Sequence, residues 1–183
     1  AGNIDIGMFD IRVVENDNRF HTEPMPAHPG HFFARPGHPL VGRRGLGLQE
    51  VLAYPLVGVR APYQVLAEAA GPVAGLQIDA ATGEIVPQLS TTSSATTRAI
   101  VRRSDGVGLA AWAQLEEDIR LGHLVTLDVA WPGIRSSYGI VTLRERPKSA
   151  AALALADCIR EVEANRLALE AVQRPTSPAS VPA

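Results

Sequence analysis

EIVPQLSTTSSATTRAIVRRSDGVGLAAWAQL, residues 84–115, runs from an apolar segment into five consecutive hydroxyl residues, then a helical pattern, a glycine-bearing turn and a second apolar segment. It reads as a strand over Glu84 to Leu89, a turn made of Ser90, Thr91, Thr92, Ser93 and Ser94, a short basic helix, a strand from Val107 and the start of another helix. A strand that ends on small hydroxyl residues at a helix start suits a carboxylate or another small anion. Unpaired backbone N–H groups and the positive end of the helix dipole point there together. Helix capping alone would need only one of the five hydroxyls.

Similar units occur on both sides of this stretch. Upstream, Ile4 to Phe9 reads as a short, mostly buried strand, and His31 to Arg35 as a second extended segment closed by Pro36, Gly37 and Pro39. A short helix covers Leu46 to Leu52, a buried strand Leu56 to Val59, and a helix Pro62 to Ala70 that stops at Gly71-Pro72. Downstream, strands over Leu124 to Val129 and Tyr138 to Leu143 are separated by the turn Trp131-Pro132-Gly133. The longest helix runs from about Lys148 to Val172 with Ser149 as its cap, and residues 173–183 read as a disordered tail. This alternation predicts an α/β fold with a mostly parallel sheet. In such sheets ligands sit beyond the carboxyl ends of strands. The exits here are Phe9 and Asp10, Arg60 and Ala61, and Ser90 to Ser94.

Composition narrows the function classes. The chain has 183 residues, 46% hydrophobic and 20% charged, enough for a substantial core. A formal net charge of −2 offers no electrostatic footprint for nucleic acid. The single cysteine, Cys158, excludes an internal disulfide framework, and its place near Leu155, Ile159 and Val162 marks it as a small core residue. No apolar run is long enough to span a membrane, and AGNIDIGMFD at the start lacks the features of a signal peptide.

Chemical motifs are sparse. His28, His31 and His38 lie among prolines and glycines, where side chains three apart on an extended strand face opposite ways, and no further ligand completes a set. No metal site is expected. Gly45-x-Gly47 lacks the third glycine of a dinucleotide loop, Glu50 standing in its place, and Asp105-Gly106-Val107-Gly108 reads as a turn into a strand. No cofactor is implied. His123 is the only histidine of the second half and no nucleophile elbow exists, so the hydroxyl cluster has no catalytic set and the chain is not expected to be an enzyme. Arg98, Arg102 and Arg103 read as a solvated helix face, with Arg98 ranked below the hydroxyls as an anion contact.

Taken in order, ID-I-G at Ile4 to Gly7, EPMP at 23–26, ARPGHPL at 34–40, LQEVLAYPLV at 48–57, GVGLA at 106–110 and YGIVTLRERPKSAAALALADCIREV at 138–162 resemble the effector-binding domain of LysR-type transcriptional regulators over about residues 1–165. The resemblance implies two Rossmann-like lobes around a ligand cleft, similar to type 2 periplasmic binding proteins. Lobe I would be residues 1–49 plus 133–172, lacking a preceding strand and helices, and lobe II residues 50–132. Effector contacts would fall on Met8, Phe9 and Asp10, on Arg60, Ala61 and Pro62, and on Ser90 to Ser94. The implied function is sensing a small carboxylate or aromatic acid in a cytoplasmic homodimer or tetramer. Operator DNA would be reached only through a winged helix-turn-helix preceding Ala1. The alternative is a solute-binding protein of a transport system with the same lobes. Two departures stand out: RRSDGVG where the family is AGLG-like, and Trp112 at a position commonly proline.

Overall fold

The computed structural model describes residues 4–59, 61–62, 77–81, 84–130 and 135–173. In chain order its elements are β1 (Gly7–Asp10), a 3-10 turn (Ile11–Val14), β2 (Phe20–Pro24), β3 (Gly30–Ala34), α1 (Leu48–Leu52), β4 (Leu56–Gly58), β5 (Ala61–Pro62), β6 (Gln77–Ile78), β7 (Glu84–Val86), β8 (Leu89–Ser90), α2 (Ser94–Val101), β9 (Val107–Ala111), α3 (Trp112–Arg120), β10 (Val125–Thr126), β11 (Tyr138–Leu143) and α4 (Ala150–Gln173). The contacts separate two compact units, residues 1–26 with 137–183, and residues 27–136. The expected division at 49/50 and 132/133 is therefore displaced. Residues 27–49 sit in the second unit because β3 bonds to β9 and β10 there.

In the first unit β11 lies between β1 and β2, antiparallel to both. Gly139 makes that position possible. A Cβ there would come within 2.6 Å of the Glu23 carbonyl oxygen and of Ile11 Cγ2. Ile140 and Thr142, two apart and so on one face, border a small space together with Ala152 and Ala156 of α4. The α4 start matches the predicted cap, since the Ala152 N–H donates to Ser149 Oγ at 3.2 Å. The buried stripe on α4 is the pair Ala152 and Ala156, and Cys158, two residues farther round the helix, is exposed rather than core. The Arg160 guanidinium donates to both oxygens of Glu23, each at 2.7 Å, clamping α4 to β2.

The second unit holds a five-stranded sheet of order β10-β3-β9-β4-β8 and a smaller antiparallel sheet of order β5-β7-β6. The predicted, mostly parallel sheet is corrected here. Among the described strands only β4 pairs in parallel, with β8 and β9, whereas β3 runs antiparallel to both β9 and β10. The segment read as one strand from Glu84 to Leu89 is two, in different sheets. It breaks at Pro87, which has no N–H to continue a ladder. Leu124 to Val129 shortens to Val125–Thr126. The predicted helix from Pro62 instead finds Pro62 in β5, and its remainder lies outside the described residues, as do Trp131-Pro132-Gly133 and the tail beyond Gln173.

Both faces of the large sheet are covered. Phe32, Leu56 and Val107 pack with Val51 of α1 on one side. Phe33 and Val57, the alternating neighbours, pack with Val101 of α2 and Leu115 of α3 on the other. Phe33 is fully buried, and a Cβ on Gly108 would stand 2.2 Å from its Cζ. Strand β9 is thus obliged to carry glycine at the register position of Phe33.

Two outcomes follow. Gly108→Ala should destabilise the protein by about 1–3 kcal/mol in chemical denaturation, the usual cost of overpacking, with part regained by adding Phe33→Leu. The Arg160 hydrogen bonds hold the Glu23 carboxyl below its ordinary value, with the Arg160 and Lys148 charges adding to the effect. A carboxylate lowered in this way stabilises the fold above its unfolded pKa and loses that contribution as pH falls through its folded pKa. Glu23→Gln should therefore make stability less sensitive to acid below about pH 4, read as a smaller drop in melting temperature between pH 5 and pH 3.

Candidate functional site

The Ser/Thr turn lies where the sequence pattern predicts, between β8 and α2. Ser90 closes the strand and Ser94 opens the helix. Its backbone is tied down by the Thr91 N–H, which donates to Gly58 O of the parallel neighbour β4 at 2.8 Å. Thr91 Oγ1 and Thr97 Oγ1 are 2.7 Å apart and each is 3.2 Å from Ser93 O. Two hydroxyl hydrogens serve those three contacts, so one goes to the carbonyl and one joins the two threonines. Thr91 is consequently an internal lock. Ser90 Oγ donates to Pro87 O at 3.3 Å.

The other three hydroxyls are placed differently. Thr92 is exposed. Ser93 has the extended backbone of an N-cap (φ −141°, ψ 128°), yet its hydroxyl makes no capping bond. The early amides of α2 therefore lack the side-chain acceptor that a capping serine supplies. Ser94 Oγ accepts from Arg98 Nη1 at 3.0 Å. Beside the turn, Val59 and Leu89 are each 47% exposed, and a Cβ on Gly58 would meet no atom within 4 Å. Sequence reasoning missed these two apolar side chains because both belong to runs that read as fully buried strands. Leu89 opens β8, the last strand of the sheet, and Val59 follows the end of its neighbour β4.

The arginines also depart from expectation. Asp118 of α3, with a side chain only 6% exposed, takes Arg98 Nε on Oδ2 at 2.8 Å and Arg102 Nη2 on Oδ1, with His123 Nδ1 3.7 Å from Oδ1. Arg98 and Arg102 are thus not a solvated face but the partners of a buried carboxylate. The sequence signal was the i, i+4 spacing of the arginines, without any mark on which acid they would meet.

The remaining predicted contacts sit elsewhere. Met8, Phe9 and Asp10 were expected beyond a strand exit. They lie within β1, opposite Ile140, Gly139 and Tyr138, because the pairing with β11 starts at Gly7 and continues through Asp10. Asp10 is occupied, since Oδ1 accepts the Arg12 N–H at 3.1 Å and Oδ2 accepts Nη2 at 2.5 Å. Ala61 and Pro62 form β5, opposite Ile85 and Glu84, and Arg60 lies outside the described residues. Of the early histidines, His38 is buried between backbone groups: Nδ1 accepts the Leu40 N–H and Nε2 lies on Asp105 O, both at 3.2 Å. Nε2 therefore carries the proton. His31 meets Trp112 edge-on with ring centroids 6.0 Å apart, which packs that tryptophan at the start of α3. Among the described residues no cluster of three metal-ligating side chains occurs, and no helix is long and apolar enough to cross a membrane.

Residues 1–164 match the family described as the LysR substrate binding domain. The chain belongs to that family. This LysR effector-binding domain is 32% identical over 172 residues to the SDS degradation transcriptional activation protein of a Pseudomonas species, an alignment covering 88% of this chain and 51% of the relative. The chain thus spans about half the length of that relative. In structure it resembles the effector domain of the transcriptional regulator AmpR of Pseudomonas aeruginosa (TM-score 0.60, 15% identity, 88% of this chain and 72% of that one). It also resembles the Synechocystis CcmR regulatory domain in complex with 2-PG (TM-score 0.60, 15% identity, 89% and 75%). The two structural likenesses carry the fold, that of the type 2 periplasmic binding proteins.

Removing the carboxylate by Asp118→Ala would leave Arg98 and Arg102 without their acceptor. The expected loss is about 2–3 kcal/mol, below the ~3–5 of a fully buried pair because both arginines keep contact with water. A chemical-denaturation midpoint unchanged from the parent would refute this account of the network.

Proposed function

We propose that this LysR domain senses a small organic anion, a carboxylate or aromatic acid, taken up between its two lobes with the Ser/Thr turn as the principal contact. The observation that carries the reading is the turn itself. Thr92, Ser93 and Ser94 offer hydroxyls at an uncapped helix start, at the C-terminal end of the parallel strands β4 and β8, where α/β sheets receive ligands. The apolar side chains of Val59 and Leu89 beside it suit the hydrocarbon part of such an acid. Ala61, Pro62 and Arg60 complete the contact set on this reading. Met8 and Phe9 contribute more weakly, and Asp10, already paired with Arg12, least.

Binding would shift the relative arrangement of the lobes, and with it the DNA-binding part of a cytoplasmic homodimer or tetramer. Operator DNA would be contacted only by a separate N-terminal winged helix-turn-helix. The 2-PG complex of the CcmR regulatory domain supports a small-molecule ligand for this fold, and the relative's name supports an activating regulator.

The test is a carboxylate screen by thermal shift. An effector at 100 times its Kd adds about 2.7 kcal/mol of stability. The double variant Thr92→Ala/Ser93→Ala should weaken binding of the effector so found by about tenfold or more, the cost of a lost hydrogen bond to a charged group, and reduce effector-dependent transcription of the full-length regulator in step. Transcription that responds as in the parent would overturn the site assignment.

A further inference from the structure

Arg98 stands four residues into α2, yet its guanidinium reaches back to the helix start and donates through Nη1 to Ser94 Oγ at 3.0 Å. The opposite edge of the same group is held by Asp118, whose carboxylate is buried and receives Nε at 2.8 Å. Arg102 binds the other carboxylate oxygen, so Asp118 is anchored from a second side. The guanidinium is therefore fixed in orientation. A serine hydroxyl has one hydrogen to give and two lone pairs to receive. Where Arg98 occupies a lone pair of Ser94 Oγ, the hydroxyl hydrogen is the group left to point away from the helix.

We infer that Arg98 is a positioning and specificity-determining residue: held by Asp118, it polarises Ser94 so that the Ser/Thr turn presents a set of donors, and thereby selects an anionic effector over a neutral isostere. The inference rests on the proposed reading of the turn as the effector contact and adds the reason why its ligand carries a negative charge. Three groups act together. Ser94 O–H is turned outward, the Ser93 hydroxyl is left unused by the helix, and the early amides of α2 lack a side-chain cap. The fixed positive charge one helical turn away adds to the helix dipole. A neutral amide of the same shape would bring its NH2 group against these donors and leave it without an acceptor, which is a penalty rather than a missing gain. Thr91 takes no part, because its hydroxyl is consumed by Thr97 and Ser93 O.

The experiment follows the backbone amides of residues 91–96 by two-dimensional NMR while the protein is titrated with acetate and, separately, with acetamide. The parent should show saturable shifts at Thr92 to Thr96 with acetate and at least tenfold weaker binding of acetamide. Ser94→Ala leaves the Arg98–Asp118 pair in place, and it should lose most of that preference with an unchanged melting temperature. Arg98→Gln keeps Asp118 paired with Arg102, and it should weaken acetate by about tenfold while leaving acetamide unaffected; Arg98→Lys should recover part of the preference. An acetate preference in Ser94→Ala and Arg98→Gln equal to the parent's would overturn the inference and leave the turn as the contact. An absence of saturable acetate shifts at the turn in the parent would overturn both.

Discussion

Phe33 and Gly108 are opposed across β3 and β9, and the space that a side chain on residue 108 would need is occupied by the aromatic ring. Much of the second unit follows from that contact. With the ring driven fully inside, Val57, Val101, Leu115 and Leu124 close around it and seat α2 and α3 on the sheet. Burial of side chains this size contributes roughly 1.5–3 kcal/mol each, so the cluster is a main source of the unit's stability. Because α2 is seated by Val101 at its C-terminal end, its N-terminal end is carried to the exit of β4 and β8. The Ser/Thr turn has its position for that reason. Gly139 of β11 has the same task in the first unit, where the Glu23 carbonyl and Ile11 crowd the central strand.

The buried carboxylate of Asp118 is a costlier device. Taking a charge out of water is expensive, and a buried ion pair is often no better than apolar packing of the same size. What it supplies here is orientation. Hydrophobic contacts between α2 and α3 tolerate small rotations, whereas a carboxylate held by two guanidinium groups tolerates few. The arrangement holds Arg98 at one azimuth on α2, and with it the hydroxyl of Ser94. An aliphatic residue at 118 would fill the space without setting that direction.

The hydroxyl cluster shows the same division of labour at finer scale. Five similar residues in a row have four different fates. Ser90 returns to the backbone, Thr91 locks onto Thr97, Ser94 receives Arg98, and Thr92 and Ser93 keep their hydroxyls out of the helix's own bonds. A run of small polar residues announces a helix start, but the partners of Ser90, Thr91 and Ser94 lie three to six positions away, and Arg98 is itself held by a helix beyond the next strand.

Periodicity and punctuation in the chain determined the element types, the strand–turn–helix around Ser90 to Ser94, the Ser149 cap of α4 and, through the order of six short segments, the family. Those features depend on local backbone chemistry: hydroxyl capping, proline and glycine breaks, and apolar spacing. Strand direction, the partition of residues 27–49 into the second unit, the breaking of 84–90 into strands of two sheets, the exposure of Cys158 and the pairing of Arg98 and Arg102 with Asp118 came only with the tertiary structure. An apolar run has the same appearance whether its neighbour is parallel or antiparallel. An arginine likewise reads the same whether it faces water or a buried acid, because its partner is chosen by the packing of the whole chain.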